Sequence, residues 1–266
     1  MKKVLTLFLA LCMLLSLAAC SAPHAEDEAG SVAQSTEANN ESRAEEPTEA
    51  PTEAPTTEPE DPSDPYEITF SSVKTYKDSI DTIWAQVIVE IENTGSFDLF
   101  LESGSCDFED MEGNLVASKD MSVYPQIIAP GEKAYYYDEM ILDTLTEPAD
   151  LKIIPRPEIM ESTTEHITYS VTDISIMDNR YGGVKVIGRV ENTTESEESM
   201  IYVAITLFNE AAEPIGLVFT ILIDDLAPGE KVGFEATAMS LPDEITADSV
   251  ASYTAVAYPY QFQFDF

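Results

Sequence analysis

The chain reads as all-β, folding into two tandem antiparallel β-sandwiches. Three observations carry that reading. From Tyr66 onward the composition turns to Val, Ile, Tyr, Phe and Thr, the residues that suit strands. Apolar residues alternate in short runs bounded by turn residues, and no long helical periodicity interrupts them. The chain also repeats itself. Ile68-Thr69-Phe70 matches Ile167-Thr168-Tyr169, and Glu92-Asn93-Thr94 matches Glu191-Asn192-Thr193, both at an offset of 99. Ala129-Pro130-Gly131-Glu132-Lys133 recurs as Ala227-Pro228-Gly229-Glu230-Lys231 at an offset of 98.

In chain order, Met1–Lys3 supply positive charge and Val4–Leu17 is an apolar run too short for a comfortable membrane span. It ends in Leu17-Ala18-Ala19-Cys20, which resembles the signal peptide and lipobox of bacterial lipoproteins. That resemblance implies a diacylglyceryl group on the Cys20 thiol and cleavage just before it. Two or more acyl chains anchor a protein stably. Cys12 then leaves with the signal peptide and Cys20 is alkylated, so Cys106 stands alone, without a disulfide partner or a cysteine metal site. The flanks of Cys106 alternate, which puts it on one strand face with Phe108 as a small buried hydrophobe.

Residues 21–65 hold almost no large apolar side chain and repeat Pro-Thr-Glu-Ala from Pro47 to Thr56. Such a segment cannot bury enough surface to offset its ordering entropy, and proline and carboxylates extend it. A disordered acidic stalk is expected. The expected boundaries are 1–19 for the signal peptide, 20–65 for the lipidated cysteine and stalk, 66–160 for the first repeat and 161–266 for the second.

Within the repeats, Val87, Val89 and Ile91 share one face of a period-2 pattern, as do Val186, Gly188 and Val190, and Ile201, Val203, Ile205 and Leu207. One face on a core and one in water is the expected arrangement. The second copy resembles the FxLYD-type, immunoglobulin-like domains of bacterial surface lipoproteins. Their Gly-x-Val-x-Asn, Leu-Tyr-Asp and Leu-x-Pro-Gly-Glu motifs correspond to Gly188–Asn192, Leu207-Phe208-Asn209 and Leu226–Glu230. The first copy departs further, with Glu90 nearer the expected Gly and Asp107-Phe108-Glu109 replacing Leu-Tyr-Asp. The resemblance implies two immunoglobulin-like sandwiches and no activity.

Thirteen Lys and Arg stand against 50 Asp and Glu, a formal net charge of −37. That balance excludes nucleic acid and basic-patch adsorption to an anionic membrane. The stalk carries 13 acids and one Arg, residues 66–158 carry 19 acids and six bases, and residues 159–266 carry 18 acids and four bases. So even a spread suits solubility and repulsion from an anionic envelope rather than one concentrated site.

Catalytic constellations are missing from the sequence. The two histidines are His24 in the stalk and His166, whose counterpart in the first copy is Glu67 on the 99-residue offset. No nucleophile elbow, Walker loop or dinucleotide fingerprint appears. No enzyme is expected, and Ca²⁺ is the one candidate cofactor. Asp107, Glu109, Asp110 and Glu112 crowd one hairpin, though not at the spacing of a calcium loop. Trp84, off the core parity, is a candidate binding platform. Tyr260, Phe262 and Phe264 alternate near the end of the sequence as a closing or partner-docking strand. At least one of Tyr135-Tyr136-Tyr137 is expected to face outward.

These readings converge on a non-catalytic binding or interaction protein. It would be lipid-anchored to a bacterial cell membrane on the extracytoplasmic side, with an unknown protein or envelope component as partner and the membrane met through the anchor alone. The alternatives are a structural spacer or display protein, a calcium-responsive adhesion module, and an accessory lipoprotein of a transporter.

Overall fold

The computed structural model describes residues 64–180, 182–238, 241–242 and 244–260. Cys20, Phe262 and Phe264 lie outside them, as do the signal peptide and nearly all of the stalk. The described chain is all-β. The strands are β1 (Tyr66–Lys77), β2 (Ile83–Asn93), β3 (Leu99–Glu109), β4 (Leu115–Tyr124), β5 (Ile127–Ile128), β6 (Lys133–Ile141) and β7 (Lys152–Glu161). They continue as β8 (Ser170–Asp178), β9 (Val184–Glu191), β10 (Ile201–Phe208), β11 (Pro214–Leu222), β12 (Lys231–Thr237) and β13 (Ser252–Pro259). Among the described residues no helix is long and apolar enough to cross a membrane.

All named pairings are antiparallel. Hydrogen-bonded neighbours run β1-β2-β6-β4-β3-β7, with β5 also on β3. The second set runs β8-β9-β12-β11-β10-β13, the same order. In each, one strand reaches a second partner part-way along its length. β4 pairs with β3 up to Met121 and with β6 from Ser122, while β11 pairs with β10 and reaches β12 only at Phe219. Each set folds over on itself at this strand. Val87, Val89 and Ile91 of β2 then meet Leu101, Cys106 and Phe108 of β3 in one core, all fully buried. Val186 and Val190 of β9 meet Val203, Ile205 and Leu207 of β10 in the other.

Two of the repeated motifs form one device. The amide of Asn93 donates to the carbonyls of Phe97 and Ile128, both at 2.9 Å, and Asn192 does the same to Ser196 (2.7 Å) and Leu226 (2.8 Å). The following turn closes on the same residue, with Gly131 N–H donating to Asn93 O and Gly229 N–H to Asn192 O, both at 2.8 Å. Those glycines take φ of +82° and +75°, where a side chain is strained. The turn glutamate bonds back to its own start, Ala129 N–H to Glu132 Oε2 and Ala227 N–H to Glu230 Oε2. A buried asparagine that satisfies two carbonyls explains why Glu-Asn-Thr and Ala-Pro-Gly-Glu-Lys recur together.

The third marker is corrected. Ile68 pairs with Ile91, but Val190, the equivalent of Ile91, pairs with Val171. Measured on shared partners the first strands are offset by 103, not 99. Ile167-Thr168-Tyr169 instead runs beside β13, where Tyr169 bridges to Ala257, so His166 is not the counterpart of Glu67. The Leu-Tyr-Asp correspondence also moves by one. Asp110 Oδ1 accepts the N–H groups of Glu112 and Asn114, and Asn209 Oδ1 those of Ala211 and Glu213. The first copy of the motif is therefore Phe108-Glu109-Asp110. The place of Gly188 falls to Val89, not Glu90, since Val89 pairs with Tyr136 as Gly188 pairs with Phe234. A Cβ on Gly188 would lie 2.7 Å from both Ile174 Cδ1 and Phe234 Cζ, which is why that position lacks one.

The expectation of one wet face fails at β2. Gln86, Ile88 and Glu90 are buried along with the core residues between them. A third cluster covers them, in which Ile88, Tyr124, Tyr135 and Tyr137 pack on Ala204, Leu217 and Tyr258. The outer face of one sandwich lies on the outer face of the other. Tyr136 enters the first core, whereas Tyr135 and Tyr137 point outward yet are buried by the second sandwich.

A candidate binding cleft between the two sandwiches

Beside this contact the two outer faces diverge and leave a cleft of about 420 Å³. Its first wall is the end of the Pro-Gly turn and the start of β6: Glu132, Lys133 and Tyr135, with Tyr124 beside them. Its second wall is the outer face of β10 and β13, with Ala204, Thr206 and Thr254. The connecting segment closes one side with His166, whose Nε2 lies 3.2 Å from Glu132 Oε2. The same oxygen accepts the Ala129 N–H at 3.0 Å, so the Pro-Gly turn that braces the first core also holds the connection.

Glu90 lies behind the first wall, only 6% exposed. Its Oε1 accepts from Lys133 Nζ and Thr69 Oγ1, both at 2.6 Å, and its Oε2 from the Tyr135 hydroxyl at 2.8 Å. Burial alone would push this carboxyl up. The hydrogen bonds from Lys133, Thr69 and Tyr135 and the charge of Lys133 outweigh it and hold Glu90 below its ordinary value. Because the folded value is depressed, the stabilisation is present above the ordinary carboxylate range and is lost as pH falls through that value. Urea midpoints between about pH 6 and about pH 3 should fall more steeply in the native chain than in Glu90→Gln. Parallel acid limbs would show that Glu90 does not carry this dependence.

A second cleft, of about 370 Å³, lies between Lys74, Gln86 and Ile88 on one sandwich and Asn209, Ile215 and Glu244 on the other. The Lys74–Glu244 ion pair spans it.

The other sequence candidates do not meet at either place. Trp84 is half-buried and donates from Nε1 to Asp78 Oδ2 at 2.9 Å, so its polar edge is engaged. Tyr260 stacks on Tyr202 with ring centroids 5.0 Å apart, and Tyr202 stacks on Tyr258 at 5.8 Å. Asp107 accepts from Arg156 Nε at 2.9 Å and Nη2 at 2.6 Å. Asp110 spends its carboxylate on the β3–β4 turn, including the Asn114 side chain at 2.9 Å. Glu109 and Glu112 do not join them, and among the described residues no three His, Cys, Asp or Glu side chains converge. Cys106 is buried beside Phe108, as its parity implies, and burial pushes its thiol up to about 11.

Sequence reasoning missed Glu90, Lys133, Tyr135, Thr206 and Thr254 as neighbours. One signal was readable: Ile88, Tyr135, Tyr137 and Ala204 are apolar or aromatic on the outward parity of their strands, as a covered outer face requires.

No protein-family model matches the chain, and no curated protein matches it.

Proposed function

We propose that this is an exported bacterial lipoprotein that binds a ligand or partner at the extracytoplasmic side of the cell membrane, without catalysis. Residues 1–19 are the signal peptide, Cys20 carries the lipid, and residues 21–65 are the stalk of two immunoglobulin-like domains of FxLYD type. The observation that carries this reading is Leu17-Ala18-Ala19-Cys20 at the end of a short apolar run, ahead of a Pro-Thr-Glu-Ala tract. The acidic composition fits a protein held off an anionic envelope and away from nucleic acid. Lys133, the ammonium of the cleft, is already paired with the buried Glu90, which suits recognition rather than bond-making chemistry.

Labelling with an alkyne fatty acid tests the anchor. The native chain should take up the label and stay with the membrane fraction. Cys20→Ala should take up none and appear in the medium or the soluble fraction. Label retained in Cys20→Ala, or membrane association unchanged by the substitution, would overturn the anchor at this residue.

A further inference from the structure

The strands that close the two strand orders are β1, β7, β8 and β13. Three of them carry features that discourage a further strand. β1 has Glu67, Lys74 and Lys77 and a register break between Ile68 and Phe70. β7 has Lys152, Pro155, Arg156 and Pro157. β8 has a register break between Thr172 and Ser175, with Asp173 at a φ of +56°. β13 reads Ser-Tyr-Thr-Ala-Val-Ala-Tyr-Pro, with no charge, no interior proline and an unbroken register against β10.

Hydrogen-bond parity shows which backbone groups of β13 are open. Tyr260 N–H donates to Met200 O, so the alternate residues Tyr258, Val256 and Thr254 turn their backbone groups toward β10. Tyr253, Ala255 and Ala257 turn theirs the other way. Ala257 O accepts the Tyr169 N–H at 2.8 Å, so this edge already holds one residue in strand pairing. The chain then leaves for β8, and among the described residues no strand pairs with the outer edge of β13 at Tyr253 and Ala255. Tyr253 is 45% exposed. Outward N–H and C=O groups on alternate residues of a strand are the complement of an extended polypeptide.

The charge of the partner follows from the cleft alongside. Thr254 and Val256, on either side of Ala255, line it together with Glu132 and Lys133. Alternate side chains of an added strand would point the same way, into that cleft. Lys133 is paired with the buried Glu90. Glu132 has no Lys or Arg partner among the described residues, and the His166 imidazole stands beside it. A Lys or Arg side chain entering there meets a carboxylate without a fixed cation, in a chain of net charge −37. A second copy of the chain, or an acidic segment, would be repelled by the same charge.

We propose that the outer edge of β13 takes up a cationic, extended segment of another protein as an added strand, with its Lys or Arg side chains in the cleft beside Glu132. The proposal names the partner class of the binding role proposed above and rests on it. It does not rest on the anchor, so Cys20→Ala and the peptide test below can fail separately.

The test uses the purified full-length chain in detergent. The probe is the peptide acetyl-Thr-Lys-Val-Lys-Val-Lys-Thr-amide. Its comparisons are the same peptide N-methylated at every internal amide, and the same peptide with Glu in place of Lys. The lysine peptide should saturate below about 1 mM, and its binding should weaken in about 0.5 M NaCl. Amide NMR should show the Tyr253 and Ala255 N–H groups shifted and their hydrogen exchange slowed on binding. The N-methylated and glutamate peptides should bind at least about tenfold more weakly. Ala255→Pro removes an outward N–H and no bond to β10, at the parity that Pro259 already occupies. It should weaken the lysine peptide about tenfold and leave the melting temperature within about 3 °C. Glu132→Gln should weaken it about threefold. If Ala255→Pro fails to fold, exchange at Tyr253 and Ala255 in the native chain decides in its place. No saturation by the lysine peptide, equal affinity for either comparison peptide, or full affinity in Ala255→Pro or Glu132→Gln would overturn the proposal. So would Tyr253 and Ala255 amides already protected in the free chain, which would mark the edge as covered by the chain's own residues or by a second copy.

Discussion

Leu217→Asp should part the two sandwiches while leaving both cores intact. Leu217 is 1% exposed, yet its side chain lies in the cluster between the sandwiches and in neither core. A carboxylate there would be desolvated without a cation and would stand in the pocket already lined by Asp138 and Glu139. An unpaired buried charge costs about 3–5 kcal/mol, more than a contact of this kind returns. Small-angle scattering should show a larger radius of gyration. Protease should then cut between residues 162 and 169, with the strand signal in circular dichroism retained. The phenols give a second readout. Burial pushes Tyr124 up to about 12 and Tyr258 well above its ordinary value. Tyr137 rises for the same reason and because the Glu139 carboxylate adjoins it. A phenol raised on folding stabilises the fold below its ordinary value, and that stability is lost as pH rises above about 10 toward the folded value. In Leu217→Asp these phenols should return toward ordinary titration. Unchanged scattering, proteolysis and titration would mean that the sandwiches are not held by this contact.

Asn192→Ala should be the most costly polar substitution in the second sandwich. Asn192 is fully buried, and its amide is the hydrogen-bond donor to the Ser196 and Leu226 carbonyls. Its Oδ1 accepts from both N–H and Oγ1 of Thr194. Alanine leaves buried carbonyls unsatisfied at about 1–3 kcal/mol each, so a loss of about 2–4 kcal/mol is expected from urea denaturation. Asn93→Ala should cost as much in the first sandwich, where Phe97 and Ile128 are the acceptors. Thr194→Ala, which removes only the exposed end of the network, should cost under about 1 kcal/mol. A loss below about 0.5 kcal/mol in either asparagine variant would show that water replaces the amide.

These two sites mark how far the sequence could be read. Asn93 and Asn192 were visible as repeated letters, and their turn partners as another repeat at nearly the same offset. Local chemistry repeats because the loop, the turn and the asparagine are bonded to each other within each sandwich. The Ile-Thr-Phe and Ile-Thr-Tyr match had no such basis. β1 pairs with β2 from Tyr66, but the matching segment at Ile167 precedes β8 and runs beside β13, at the far end of the strand order. Two shared letters and a similar ring do not determine which strand a segment pairs with, because pairing is a non-local bond. The one-residue slip at Phe108-Glu109-Asp110 has a related cause. Only the turn bonds of Asp110 and Asn209 show which acid corresponds to which amide.

The sequence by itself determined the all-β class, the alternation that selects Val87, Val89, Ile91, Ile201, Val203, Ile205 and Leu207 for the cores, and the turns that bound the strands. Those are consequences of a period of two and of residue-specific backbone preferences, both of which act within a few residues. The contact of Ile88, Tyr135 and Tyr137 with Ala204, Leu217 and Tyr258 was decided only by the tertiary structure, and with it the cleft that brings Glu132 and Lys133 opposite Thr206 and Thr254. Outward parity says that a side chain leaves its own core. Whether water or another sandwich meets it depends on surfaces about a hundred residues apart in the chain, and no local pattern carries that information.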